Sequence, residues 1–210
     1  MNLDNNFPAP LQVLLFLGSA TTAGILILIT IYGALRRKVW IRWSLAVLGI
    51  GAVIYFGILL AFSTASEEKT LARGQEKYFC EIDCHLAYSV TNVQLISEGN
   101  PTRLIAITIR TRFDEKTVSA QRPRDAPLTP NPRSVLLVDE SGNTFYSGMS
   151  SGTSLAEPLI PGASYVSTLV YQVPKTSEGL RLLITAPGGP VEFLIGNELS
   201  FAHKKTYLSL

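Results

Sequence analysis

Two long apolar runs near the start of the chain constrain its fold more than any other feature. Leu11–Leu35 and Ser44–Ala65 contain no charged residue, and they flank the basic segment 36–43. A membrane-spanning helix needs about 20 apolar residues to cross a hydrocarbon core of about 30 Å. Each run is long enough to do so, and the sequence therefore predicts a transmembrane α-helical hairpin.

The charges predict the orientation of this hairpin. Segment 36–43 carries four of the 18 Lys and Arg residues, whereas the only charged side chain in residues 1–10 is that of Asp4. Short basic loops stay on the cytoplasmic side of a membrane, and Trp40 and Trp43 are aromatic residues of the kind that anchor a span at its interface. We therefore expect a two-pass protein of the bacterial cytoplasmic membrane, with the basic loop inside and the N-terminus and C-terminal domain outside.

The first apolar run differs from a cleaved signal peptide. The apolar part of a signal peptide has roughly 7–15 residues and follows a basic region. Leu11–Leu35 is longer, and the basic residues come after it. We therefore expect this run to be retained as the first span.

The rest of the chain predicts a polar linker and one folded domain. Residues 66–77 are polar, and in 78–210 short alternating segments are separated by turns that contain glycine or proline. This part holds nearly equal numbers of acidic and basic residues, which excludes a strongly basic nucleic-acid-binding surface. Its length is sufficient for a domain with its own core.

Alternation of apolar and polar residues marks the expected strands. Tyr78–Val90 alternates throughout and predicts one half-buried strand, and Ile105–Phe113 predicts a second. Four prolines make 116–133 a loop. Further strands are expected at 135–138, 144–146, 165–173, 180–185, 191–195 and 201–210. Seven or eight short strands predict an all-β, immunoglobulin-like antiparallel sandwich.

Three segments of this domain carry a resemblance to a known family. They are Val135–Tyr146, Leu159–Ser164 and Leu169–Lys175. On these segments, residues 78–210 resemble a bacterial domain family of unknown function. That family has a telokin-like, immunoglobulin-type sandwich and is commonly carried by membrane-anchored or secreted proteins. The resemblance implies a fold and supplies no catalytic residues.

The order of two spans and an outer β-domain also resembles cytochrome c oxidase subunit II. That subunit carries a Cys-x-x-x-Cys pair late in its domain, with one histidine well before the pair and another just after it. Here Cys80 and Cys84 open the domain, and no histidine precedes them. The resemblance is therefore one of topology, and the copper A centre does not carry over.

One short segment suggests chemistry, and three interpretations of it remain open. Cys80, Cys84 and His85 resemble, at a wider spacing, the Cys-x-x-Cys-His attachment of c-type haem, with Met149 or His203 as a sixth ligand. Cys80, Cys84, His85 and His203 are alternatively soft ligands that suit copper. The third interpretation is structural, with the thiols either buried in the core or joined in a local disulfide. On a regular strand their Cα atoms would lie about 13 Å apart, too far for a disulfide or one metal ion. A bulge or turn at residues 82–83 would bring them close enough for either.

From these observations we expect a binding, scaffold or accessory subunit without catalysis of its own. No nucleophile elbow or phosphate-cradling glycine loop occurs, and His85 and His203 are the only histidines. His203 is expected on the last strand. The expected partners are the lipid bilayer and a membrane or extracytoplasmic protein, and the cofactor is unknown. The alternative is a copper- or haem-binding electron-transfer or metallochaperone subunit.

Overall fold

Two long helices begin the fold, as the apolar runs predict. The structure is a computed structural model, and it describes residues 9–36, 39–79, 85–118, 122–186 and 188–210. Helix α1 is Ala9–Leu35 and helix α2 is Ile41–Thr64, and by length and composition both are able to cross a membrane. Helix α2 begins within the basic segment, because Ile41, Arg42 and Trp43 contain nothing that breaks a helix.

The described residues fall into two compact units. One combines the two helices with the segment Gly188–Lys204, which contains a 3₁₀ helix at Pro190–Phe193. Within this unit the helices meet near their connection, where Thr30 Oγ1 and Ser44 Oγ lie 2.9 Å apart. The second unit contains the β-strands and a 3₁₀ helix at Glu115–Thr117.

The strands of the second unit form one mixed sheet that folds into a β-sandwich. Along the sheet the order is β1-β9-β8-β5-β6-β7-β4-β3-β2. The two layers share β6, which pairs with β5 in its first half and with β7 in its second. The strand bounds are Lys69–Leu71 (β1), Lys77–Phe79 (β2), Leu86–Glu98 (β3), Thr102–Phe113 (β4), Ser134–Val138 (β5), Thr144–Gly152 (β6), Ser164–Pro174 (β7), Arg181–Thr185 (β8) and Thr206–Ser209 (β9).

The prediction of a purely antiparallel sheet needs correction at one strand pair. β1 runs parallel to β9, whereas the other pairs are antiparallel. β1 lies in the segment 66–77, where the sequence predicts a linker. Its three residues form a strand because they pair with the far end of the chain, and a local pattern does not reveal such pairing. The β-sandwich is observed, and its immunoglobulin-like arrangement stays a prediction.

The single strand predicted over Tyr78–Val90 is wrong. β2 and β3 are antiparallel neighbours, with Phe79 opposite Leu86, so the chain reverses direction between those two residues. Large apolar residues alternate with smaller or polar ones on both sides of the reversal, so the sequence resembles one continuous strand, but residues 86–90 of β3 are all buried. The predicted separation of Cys80 and Cys84, about 13 Å, assumed that continuous strand, and both residues lie outside the described residues.

Other strand predictions are confirmed, with three exceptions. β4, β7, β8 and the β5–β6 hairpin form where expected, and Gly142 occupies the left-handed region (φ 83°) in the hairpin turn. The predicted strand 191–195 is wrong, because Pro190 and the following residues form a 3₁₀ helix. The last strand is only Thr206–Ser209, so His203 precedes it. β6 continues through Ser147–Gly152, a stretch that the sequence marks only as rich in Ser and Gly.

A buried lysine joins β2 to strands near the opposite end of the sheet order. Lys77 is 0% exposed, and its Nζ donates hydrogen bonds to the carbonyl oxygens of Ile184 on β8 (2.9 Å) and Thr206 on β9 (2.8 Å). The ammonium group also lies 5.1 Å from the centre of the Phe79 ring. A buried charge needs such partners to offset its lost hydration. Lys77 thus closes the sheet around an apolar core.

We predict that Lys77→Ala destabilises the sandwich by about 3 kcal/mol, because two carbonyls lose a charged donor and a cavity is left. Urea unfolding of the detergent-solubilised chain, followed by far-ultraviolet circular dichroism, measures the change. Lys175→Ala is the matched control, since Lys175 makes an exposed ion pair with Glu98 at 3.2 Å and such pairs contribute at most about 1 kcal/mol. Equal unfolding midpoints for the two variants would contradict the prediction.

Candidate functional site

His85 is buried at the start of β3, in the sandwich unit. Its ring stacks on Phe113, with centroids 5.3 Å apart, and its Nδ1 lies 2.6 Å from Thr117 Oγ1. The Thr117 hydroxyl donates its one proton to the Asp114 carbonyl at 2.8 Å. The hydroxyl therefore accepts from His85, and this network assigns the proton of a neutral His85 to Nδ1.

Of the four predicted metal ligands, the structure describes His85 and His203. Cys80 and Cys84 lie outside the described residues. His203 belongs to the helix-containing unit, where its Nδ1 is 2.7 Å from the Lys204 carbonyl oxygen, and His85 belongs to the other unit. Within the part of the chain that the structure describes, no three His, Cys, Asp or Glu residues cluster as metal ligands would. The predicted metal site stays a prediction.

A small cavity of about 60 Å³ lies beside His85. The Arg133 guanidinium forms part of its wall and lies 4.4 Å from the centre of the Phe79 ring. Sites for organic ligands and cofactors usually measure about 300–1,000 Å³. This cavity has room for water or a small ion only. The remaining lining residues are Leu86, Leu128, Thr129 and Asn131.

Four polar side chains form a hydrogen-bonded network that crosses β3, which lies between β2 and β4. Arg112 donates from Nε and Nη2 to the two carboxylate oxygens of Glu76, at 2.7 and 2.6 Å. Its Nη2 also donates to the Tyr78 hydroxyl at 2.9 Å, and that hydroxyl donates in turn to Asp114 Oδ2 at 2.7 Å. The bidentate geometry and the shared acceptors hold all four groups in one arrangement.

The network shifts the pKa of each member away from neutral pH. Hydrogen bonds from Arg112 lower the pKa of Glu76, and the same pairing raises the pKa of Arg112. Burial, with the hydrogen bond to Asp114, raises the pKa of Tyr78. Burial also acts to raise the pKa of Asp114, but hydrogen bonds from Tyr78, Arg112 and the Lys116 amide outweigh it and bring the value to about 2. These groups keep their protons fixed at pH 7, which suits a structural role.

The second half of β6 exposes a strand edge. Ser147–Gly152, hereafter the open β6 edge, pairs with β7, while pairing with β5 ends at Tyr146. No other described strand pairs with these six residues, and each of them is exposed. The edge contains no charged residue and no proline, two of the devices by which proteins block such edges, and it has an irregularity in its register with β7 between Ser147 and Met149. Strands β1 and β2, at the ends of the sheet order, are only three residues long.

Comparisons with known proteins identify no family for this chain. No protein-family model and no curated protein sequence matches it. An uncharacterized β-sandwich protein from Clostridium difficile is similar over 69% of this chain and 95% of its own, at 9% identity and a TM-score of 0.39. The secreted protein MPT63 from Mycobacterium tuberculosis is similar over 70% of this chain and 100% of its own, at 9% identity and a TM-score of 0.43. Such likenesses carry no argument about function.

The sequence does not predict the contacts of Arg112 or the burial of Lys77, and it gives only a weak sign of the open β6 edge. The sequence shows Arg110 and Arg112 as an exposed basic stripe, but it does not reveal that Arg112 pairs with Glu76 and Asp114. Lys77 is the last residue of the predicted polar linker, and the sequence gives no sign that it is buried. The uncharged run Ser147–Gly152 was the one signal that the sequence offered, because its lack of charge and proline is unusual for an exposed strand.

We predict that Asp114→Asn lowers the free energy of unfolding at pH 7 by about 2 kcal/mol and reduces its decrease at acid pH. Because the folded-state pKa is about 2 against an ordinary 3.8, the carboxylate contributes fully above about pH 4, and its contribution is lost as the pH falls towards 2. Urea midpoints at pH 7 and pH 3 test this. The exposed Asp125→Asn is the control. Parallel pH profiles for the wild-type chain and Asp114→Asn would refute the prediction.

Proposed function

We propose that this chain is a two-pass protein of the bacterial cytoplasmic membrane whose outer β-sandwich binds a protein partner, as a binding, scaffold or accessory subunit. In this proposal α1 and α2 are the spans, the basic connection faces the cytoplasm, and the sandwich lies outside. The chain itself performs no catalysis. Its role is to hold a binding surface next to the membrane.

The surfaces of the two helices support the membrane anchor. Leu28 in the last third of α1 is 67% exposed and Val53 in the middle of α2 is 75% exposed, and neither helix contains an acidic residue. Exposed apolar surface of this extent is unfavourable in water and favourable in lipid. The cationic residues cluster around the connection between the helices, which favours a cytoplasmic location for it.

The open β6 edge is the observation that carries the binding role. An extended peptide from another protein can add to such an edge through main-chain hydrogen bonds, with side-chain contacts that give specificity. Tyr146 and Met149 are exposed beside it and offer apolar contacts. The glycines allow close approach, since a Cβ added at Gly148 would meet nothing within 4 Å.

The remaining polar features of the sandwich fit a binding module. The Arg112 network holds its protons fixed at neutral pH, and the cavity beside His85 is too small for an organic substrate. The copper or haem alternative depends on Cys80 and Cys84, which lie outside the described residues. It stays a prediction of the sequence.

We predict that a photocrosslinking residue at Met149 gives a discrete crosslinked product in native membranes. The same residue at Ser141, in the exposed β5–β6 turn, is the control. Adding Ser150→Lys should abolish the Met149 product, because a lysine on the edge disfavours strand addition. Gel mobility and mass spectrometry identify the product, including a second copy of this chain. No product at Met149, or an equal product at Ser141, would contradict the proposed surface.

A further inference from the structure

We propose that the segment Gly188–Lys204 inserts into the outer leaflet of the membrane and binds lipid. It belongs to the same compact unit as the helices and contacts them at several levels. This inference rests on the proposed membrane anchor and adds a third lipid-contacting element to it.

The contacts place the segment along the outer part of the helix pair. The Lys204 amide donates to Ser66 Oγ at 2.9 Å, just beyond the end of α2. Near the start of α1, Gln12 Nε2 donates to the Gly196 carbonyl at 3.3 Å, and Asn197 Nδ2 donates to Gln12 Oε1 at 3.1 Å. These contacts lie at the ends of the helices opposite to the basic connection.

Phe193 contacts α2 at a position farther from the outer end of the helix. The Tyr55 hydroxyl donates to the Phe193 carbonyl at 2.7 Å, and the Phe193 ring lies edge-on to Phe56, with centroids 6.3 Å apart. Tyr55 precedes Thr64, the end of α2, by nine residues, or about 14 Å of helix. Helix α2 is about 36 Å long and the hydrocarbon core about 30 Å thick, so Tyr55 lies about 8 Å or more inside the core. The Phe193 side chain is therefore at hydrocarbon depth.

Several backbone groups of the segment have the protein partners that a lipid environment requires. Irregular backbone at membrane depth is tolerated only where its polar groups have protein partners. The Phe201 amide donates to the Glu192 carbonyl at 2.9 Å, and Ser200 Oγ donates to the Leu194 carbonyl. The carbonyls of Phe193 and Gly196 accept from Tyr55 and Gln12.

The segment exposes aromatic rings near its tip and a lysine at its end; of its two acidic residues, Glu192 is half-buried and Glu198 is buried. Phe193 is 42% exposed and Phe201 is 62% exposed, whereas Leu194 and Ile195 are buried within the unit. Lys204 is exposed where the segment reaches Ser66. Aromatic rings at depth with a cation at the headgroup level are the pattern of an interfacial membrane-binding element.

Quenching of single tryptophans by brominated phosphatidylcholine tests this proposal. Trp40 and Trp43 are the only tryptophans of the chain, and both are replaced by phenylalanine. Phe193→Trp or Phe201→Trp is then introduced, and the full chain is reconstituted in brominated vesicles. Leu28→Trp, at an exposed apolar position in the last third of α1, serves as the positive control.

We expect Phe193→Trp to lose a share of its fluorescence comparable with that of Leu28→Trp, and Phe201→Trp to be quenched as well. Tyr146→Trp on the sandwich should lose none. If Leu28→Trp is quenched while both segment positions are not, the lipid-binding inference fails and the anchor remains. If Leu28→Trp is not quenched either, the anchor fails with it. Two segment positions keep the test decisive if one variant does not fold.

Discussion

The uncovered apolar surface of α1 and α2 is the constraint on which the rest of the account depends. Side chains such as Leu28 and Val53 project outward along most of both helices. A soluble helix pair would bury one apolar stripe and present a polar face to water. These helices present no such face, and transfer of their surface into hydrocarbon is strongly favourable. A lipid environment is the arrangement that this surface favours.

The path of the chain links the helices to the sandwich twice. After β8 the chain leaves the sandwich unit, forms the segment Gly188–Lys204 with the helices, and returns to form β9. β9 then pairs with β1, the first strand after α2, and with β8. The strand that follows α2 and the strand that follows Gly188–Lys204 are thus held by pairing with each other. Within the sandwich, Lys77 connects β2 to the carbonyls of Ile184 and Thr206 on β8 and β9.

Local patterns predicted the elements whose cause is local. The apolar runs gave the helices, and alternation gave β4, β7 and β8. The β5–β6 hairpin followed from a glycine-containing turn. The missed features depend on distant partners. β1 exists because of β9, Lys77 is buried because of Ile184 and Thr206, and Phe193 meets Tyr55 across 138 residues of sequence.

In the candidate site too, local sequence identifies single residues, whereas their arrangement depends on distant parts of the chain. Sequence singled out Cys80, Cys84, His85 and His203 from their chemistry, but chemistry alone does not tell which of them are near one another. The structure adds a buried His85 whose Nδ1 hydrogen-bonds Thr117, and it places His203 outside the last strand. It also adds the open β6 edge, because strand pairing on one side alone becomes visible only once the partners of β6 are known.

Fusion of alkaline phosphatase after Leu210, with green fluorescent protein at the same position as its counterpart, tests the central claim most directly. The phosphatase becomes active only outside the cytoplasmic membrane. The fluorescent protein becomes fluorescent in the cytosol and stays dark when it is exported in unfolded form. The account predicts an active phosphatase and a dark fluorescent protein. A fluorescent fusion with an inactive phosphatase would contradict it, since the sandwich would then lie in the cytosol.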